Sequence, residues 1–260
     1  SHYGGYILDR KYFSPKSLRA KYYHFLDKWS CKLADLVLLD TDAHIDFFVR
    51  EFGLPREKFR RIFVGADSDI FYPRKIQKES DKFIIHFHGY YIPLQGVKYI
   101  IQAAKILENE NMSFNLIGRG QTFKNDKRLA ESLKLSNVNF VDPVPYEKLP
   151  DYIAQADVCL GIFGDSPKTD LVIPNKIYEA LAMGKPVITA DTPAIRELLT
   201  DGVNVFLCFK ADPKSLAEKI LLIKNQPLVA ERAAQNGHKL FEQKLKERIL
   251  AKEVLKNFES

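Results

Sequence analysis

Residues Leu171–Ala190 read LVIPNKIYEALAMGKPVITA, and this stretch decides the fold. A polar loop ends at Pro174. Asn175–Met183 is predicted as a short helix with Asn175 as its N-cap, because an Asn side-chain oxygen satisfies an orphan N–H of the first turn. Gly184 stops the helix through the left-handed conformation open to glycine, and Pro186–Ala190 continues as an apolar strand. A loop-to-helix junction offers free N–H groups and the positive end of the helix dipole, which suits a phosphate. Lys176 adds a cation at that end. Glu179 lies one turn inward, near the same face as Asn175. A carboxylate there accepts two hydroxyl protons, as from a ribose. An ordinary capped helix with solvated Lys176 and Glu179 fits the same residues, so the surroundings must decide.

Upstream, the pattern from Phe83 is a sustained alternation. Strands are predicted at Phe83–His88, Ser113–Gly118, Val138–Val141 and Asp157–Phe163, and after Pro186–Ala190 at Val203–Phe209. Helices fall between them at Gly96–Glu108, Phe123–Leu133, Tyr146–Gln155, Asn175–Met183, Ala194–Leu199 and Pro213–Lys224. In the first, Val97, Ile100, Ile101, Ala104 and Leu107 point inward at helical spacing. Such alternation argues βαβ units with right-handed crossovers: an α/β, doubly wound parallel sheet of Rossmann type. Ligands of such sheets bind at the C-terminal strand ends. The loops there are 89–95, 118–122, 142–144, 164–175 and 191–194. The last two helices, about Leu228 to Phe258, are basic and amphipathic.

The first 75 residues give only helix, strand, helix, strand. Ser17–Ala34 carries Leu18, Tyr22, Phe25, Trp29 and Leu33 close to a 3.6 period. Asp35–Asp40 and Phe59–Val64 read as strands. Thr41 or Asp42 caps a helix, Ala43–Phe52, that Gly53 and Pro55 end. Two parallel strands cannot bury both their faces. This part therefore reads as the truncated end of a second Rossmann-like domain. The charged run RKIQKESDK, residues 74–82, is a candidate boundary. The expected organisation is 1–75, 76–240, and a C-terminal helix over 241–260 that crosses back to the first part.

The 260 residues are 46% apolar and 28% charged, as in an ordinary soluble protein. No apolar run reaches the ~18 residues of a membrane span, and the opening SHYGGYILDRKYF has no secretory pattern. Cys31, Cys159 and Cys208 read as buried free thiols, which fits a cytoplasmic setting. The net charge of +6 suits a phosphorylated ligand or peripheral contact with an anionic inner membrane face. The basic residues are spread out apart from GHKL and KLKER near the end, and no nucleic-acid-binding signature is present.

Three stretches are candidates for chemistry. Ile117–Gln121, IGRGQ, joins a strand to a helix, and its glycines let backbone approach a ligand. Arg119 there suits a phosphate. His86–Gly96, HFHGYYIPLQG, ends a strand; His86 reads as a core histidine and His88 as a pocket residue. The loop FGDSPKTDLVIPN carries Asp165, Lys168 and Asp170. No metal-ligand spacing and no hydrolytic triad spacing is readable.

Taken in order, these pieces resemble the retaining nucleotide-sugar glycosyltransferases of the two-Rossmann (GT-B) fold, in the group called family four. The segments that carry the resemblance are ADLVLLDTDAHIDFFVREFGLP, KFRRIFVGADSDIFYP, HGYYIPLQGVKYIIQAAKIL, NLIGRG, VNFVDPVPYEKLPDYIAQADVCLGIF and IPNKIYEALAMGKPVITADTPAIRELLTDG. The resemblance implies sugar transfer, with retention and without a metal or other cofactor. The donor is a UDP-, GDP- or ADP-sugar and the acceptor a saccharide or a lipid-linked saccharide. It places the ribose on Glu179, the diphosphate on the helix opening Asn175, Ile177 and Tyr178, the nucleotide near Gly118 and Gly120, and the base beside Val144. His88 joins the donor site. The family's first motif Glu falls on Leu171, with Asp170 adjacent as a substitute. Its diphosphate-clamping Arg and Lys fall on Tyr90 and Gln95, leaving Arg119, Lys168 and Lys176 as replacements; Asp170 and Lys176 are the catalytic candidates. Two other readings stand beside this one: a UDP-sugar epimerase on the same fold, and a non-catalytic partner subunit.

Overall fold

The computed structural model describes residues 1–74, 76 and 81–257. Most of the charged run expected as a boundary lies outside the described residues, as does Phe258. The fold is organised around β3 (Phe83–His88), whose residues Ile84–Phe87 are buried on both faces. That is the signature of a strand covered by helices on each side. β3 pairs in parallel with β4 (Met112–Ile117) along its whole length, from Phe83↔Met112 to His88↔Ile117. On its other edge it pairs with β6 (Val158–Leu160), through Ile85↔Val158 and His86↔Cys159. With β5 (Val138–Val141), β7 (Val187–Ala190) and β8 (Phe206–Cys208) these make a six-stranded parallel sheet in the order β5-β4-β3-β6-β7-β8. The expected doubly wound α/β fold is the one observed. Strand order reverses between β3 and β6, the switch point of the sheet.

One face of the sheet packs on α3 (Val97–Ile106) and α8 (Pro213–Asn225) around Ile85, Phe87, Ile100, Leu116, Leu216 and Ile220. Val97, Ile100, Ile101, Ala104 and Leu107 all point inward as expected. The other face packs on α5 (Leu149–Gln155), α6 (Asn175–Ala182) and α9 (Pro227–Lys244) around Ile84, Ile153, Ile177, Leu181 and Phe241. α6 is buried from Lys176 to Ala182, because α9 covers the side away from the sheet. A Cβ on Gly237 of α9 would stand 2.6 Å from Leu181 Cδ2, so the glycine sets this close approach. Leu181→Ala is the change that would open it, at about 2–5 kcal/mol.

The first segment contains α1 (Leu18–Leu33), β1 (Val37–Leu39), α2 (Asp42–Phe52) and β2 (Phe59–Arg61), with β1 and β2 paired in parallel. Its core is small: Cys31, Ile45, Phe48, Phe52, Leu54 and Phe59. Thr41 caps α2, its hydroxyl accepting the His44 N–H at 3.0 Å. The apolar stripe of α1 faces outward, with Leu18 83% and Leu33 77% exposed. Ala20, Asp27 and Cys31 are the residues α1 buries instead. A 3.6 period finds a stripe and does not say what covers it. The Asp27 carboxylate accepts the amides of His2 and Tyr3 at 3.1 and 2.7 Å. It thereby ties a wide helical turn, Tyr3–Asp9, to α1.

At the far end α9 runs unbroken past residue 241 to Lys244, and α10 (Glu247–Lys256) follows. The chain here meets the stretch after β2. Ala66 bridges to Lys246, and the Ser68 hydroxyl donates to Glu247 at 2.6 Å. The three cysteines are buried and free, as their apolar surroundings predicted.

Candidate functional site

The carboxyl ends of β3 and β4 enclose a cleft of about 260 Å³ lined by His88, Gly89, Tyr90, Ile117, Gly118, Arg119, Pro143, Val144 and Leu149. Its walls are mostly apolar. The two strand-end loops meet at Gly118, which has φ 134° and whose added Cβ would stand 2.0 Å from the Gly89 carbonyl oxygen. Only glycine fits that contact, because an L side chain strains the backbone and collides with it. The sequence-predicted Gly118, Arg119, Val144 and His88 are thus brought to one site, and Gly120 is not in its lining. Gly120 lies against the Tyr91 backbone.

Glu179 reaches this site from α6. It is 5% exposed, yet its carboxylate is not in apolar surroundings: Oε2 accepts from His88 Nε2 at 2.7 Å. His88 in turn meets His86, with Nδ1 to Nε2 at 2.8 Å. A carboxylate only accepts, so His88 Nε2 must carry the proton. Burial first, and then the neighbouring His88, holds the His86 pKa well below the ordinary histidine range. His86 is therefore a neutral, buried partner and more than a packed core residue. The signal was in the sequence, since residues two apart on a strand share a face.

Lys176 sits one turn before Glu179. Its Nζ donates to Gln95 Oε1 and lies 3.8 Å from the centre of the Phe87 ring. A Cβ on Gly89 would stand 2.9 Å from that Nζ, so the amine lies directly behind the cleft's glycine. Burial pushes its pKa well below the ordinary lysine range, with Glu179 pulling the other way. The closing of Lys176 onto Gln95 spans 81 residues, and no local pattern announces it.

Other expected site residues are placed differently. Asn175 is the first helical residue, with Pro174 at the cap position and no side-chain cap bond. Its exposed side chain lines a separate cavity with Tyr146 and Asp67. Ile177 and Tyr178 are core anchors, and the Ile177 amide already donates to the Pro174 carbonyl at 2.9 Å. That amide is unavailable to a phosphate, and the first turn has tightened around Pro174. Arg119 lines the cleft while paired with Asp142, and its guanidinium stacks over Phe123 at 3.8 Å. Asp170 is held by Lys210, both carboxylate oxygens accepting at 2.6–2.7 Å. Lys168 lies near the buried Asp9, whose Oδ1 accepts the Leu94 amide at 2.9 Å. The structure therefore gathers Lys176, Glu179, His88, Gly118 and Val144, and leaves Asp170, Lys168 and Asn175 at the margin. Among the described residues no group of three or more His, Cys, Asp or Glu side chains converges as a metal site.

The family model described as Glycosyl transferases group 1 matches residues 68–240, which contain every element of this cleft. An uncharacterised glycosyltransferase of Methanocaldococcus jannaschii is 25% identical over 183 residues, covering 68% of this chain and 46% of its own. The putative colanic acid biosynthesis glycosyl transferase WcaI of Escherichia coli is 27% identical over 197 residues, covering 74% and 46%. The chain thus spans about half the length of the curated relatives it matches. The solved structure of Anabaena HepE in complex with UDP-glucose superposes with a TM-score of 0.80 at 20% identity, covering 98% of this chain and 70% of that one. That likeness shows a shared fold.

Proposed function

The chain belongs to the glycosyl transferases group 1 family, and from that membership and the cleft's geometry we propose that it holds a nucleotide diphosphate sugar at the carboxyl ends of β3 and β4. The base lies against Pro143 and Val144. The ribose hydroxyls donate to Glu179. The diphosphate faces Gly89, the Lys176 amine and the open end of α6. The sugar passes with retention to a saccharide or lipid-linked acceptor. Breaking the glycosidic bond leaves positive charge at the anomeric carbon and negative charge on the departing diphosphate. A cation and helix amides fixed in place stabilise the latter without a metal, and no cofactor is used. Lys176 is the residue of this chain placed to act there.

One observation carries the reading: a carboxylate is held 2.7 Å from His88, a residue that lines an otherwise apolar cleft. A pocket of that kind suits a nucleoside, with a flat apolar base and two adjacent hydroxyls. The complex of HepE with UDP-glucose and the colanic acid role named for WcaI support the donor and acceptor classes. Isothermal titration with UDP, GDP and ADP tests it. One of the three should bind, and Glu179→Ala should weaken that binding by about 2–4 kcal/mol. Failure of all three to bind would sink the proposal.

A second reading is a nucleotide-sugar-binding partner without catalysis. It is favoured by Leu171 at the expected acid position and by the engagement of Asp170 with Lys210. Turnover of a labelled sugar nucleotide by the full-length native protein separates the two.

A further inference from the structure

We infer that His86 and His88 form a positioning relay that locks the Glu179 carboxylate for ribose, so that they set the preference of the site for ribonucleotide over deoxyribonucleotide donors. This rests on the proposed nucleotide site and adds residues that act through Glu179.

The geometry is a straight relay of three side chains. His86 and His88 stand two apart on β3 and share a face of the sheet. His86 is 1% exposed and His88 9%. The ring nitrogens meet at 2.8 Å, and His88 Nε2 meets Glu179 Oε2 at 2.7 Å. The deep member is fixed by the sheet, since His86 is in register with both Asn115 and Cys159. The middle member has one ring nitrogen on each neighbour, so its ring plane is set from both sides. The outer member, Glu179, has three rotatable bonds and would otherwise sample several orientations.

Holding Glu179 before the donor arrives removes that ordering cost from binding. It also leaves direction in the site. A carboxylate offers about four acceptor positions, and His88 occupies one on Oε2. The others are left for two vicinal hydroxyls. Hydrogen bonds in a buried chain polarise one another, so the loss of the deep histidine is felt at the carboxylate. His88 lines the cleft as well, but His86 does not. An effect of His86 on nucleotide choice therefore has to travel through His88 and Glu179.

The test is isothermal titration of the full chain with UDP, GDP and ADP and with their 2′-deoxy and 3′-deoxy counterparts. The wild type should prefer the ribo form by roughly ten- to a hundredfold, the worth of a hydrogen bond to a charged group. His88→Ala and His86→Leu should collapse that preference, and in His86→Leu, outside the cleft, affinity for the deoxy form should stay within about threefold. His88→Gln and His86→Gln keep a donor at the Nε2 position and should retain it. An unchanged preference in His86→Leu, or an equal loss for both sugar forms there, overturns the relay and leaves the nucleotide site standing. No nucleotide binding by the wild type overturns both. A readout on the wild type alone does not depend on the variants folding. Side-chain nitrogen NMR should find the proton on His88 Nε2, and a bare Nε2 overturns the inference.

Discussion

Replacing Lys176 by Met tests whether the buried amine is the counter-charge of the diphosphate. In the free protein the residue is 6% exposed, and its Nζ is shut between the Phe87 ring and the Gln95 amide oxygen. Burial holds its pKa well below the ordinary lysine range, and Glu179 offsets this only in part. Burial thus disfavours the charged amine in the free protein. A diphosphate beside Gly89 reverses the balance, because adjacent negative charge favours the ammonium form. The proton must come from the buffer. Binding should take up protons from the buffer, read as the slope of titration enthalpy against buffer ionisation enthalpy in Tris, HEPES and Tricine. Lys176→Met should show a slope near zero and lose about 1.5–3 kcal/mol of affinity, the range for a charge-assisted hydrogen bond. The same substitution carries a stability signature. The unfolded chain protonates this lysine up to about pH 10.4. Between the lowered folded pKa and that value the unfolded state binds more protons, so wild-type stability rises with pH across the window. Lys176→Met lacks the penalty, so it should melt above the wild type at pH 7, with the gap closing toward pH 10. A wild type that binds nucleotide with no buffer dependence, or a variant equally destabilised at both pH values, would refute the reasoning.

Gly118→Ala places a Cβ 2.0 Å from the Gly89 carbonyl at φ 134°. It should lower the melting temperature and abolish nucleotide binding, and binding intact by titration would mean the two loops do not form the site. Trp29→Ala, on the 39% exposed stripe of α1, should change stability by no more than about 0.5 kcal/mol. Phe48→Ala, 4% exposed in the small core, should cost about 3–5 kcal/mol; comparable denaturation midpoints for the two would show that the stripe is covered. Asp170→Asn breaks a half-exposed pair with Lys210. It should cost under about 1 kcal/mol and leave nucleotide affinity unchanged, and a tenfold weaker titration would return Asp170 to the donor site.

The sheet was legible because its strands are covered on both faces. Phe83–His88 is apolar on either side apart from its histidines, and a fully covered strand has that composition. Strand ends were less so: Asp157–Phe163 narrows to Val158–Leu160. The glycines and His88 were legible as a site because they stand at or just past strand ends, and Val144 through the family resemblance. The links across the crevice were not. Lys176 meets Gln95, Arg119 meets Asp142 and Leu94 meets Asp9 only once the sheet order has set the loops side by side. The face of α1 misled for a related reason, since amphipathicity reports a stripe and not its cover.

Two apparent losses in the sequence, Tyr90 and Gln95 where the resemblance expects an Arg and a Lys, look different in three dimensions. Lys176 comes from the opposite side of the switch point and lays its amine on Gln95. Arg10 comes from the first segment and holds its guanidinium 5.6 Å from the centre of the Tyr90 ring. Each neutral side chain thus still has a basic side chain beside it, supplied by a different element. An electrostatic requirement fixes where a charge must be and not which strand end delivers it. Gln95 gives the incoming lysine a hydrogen-bond acceptor where a second ammonium would repel it. Tyr90 gives the arginine a π face. Position-by-position comparison therefore misses a basic side chain that another element brings to the same place. The motif position left without such a substitute is Leu171, 9% exposed, whose neighbour Asp170 is turned to Lys210.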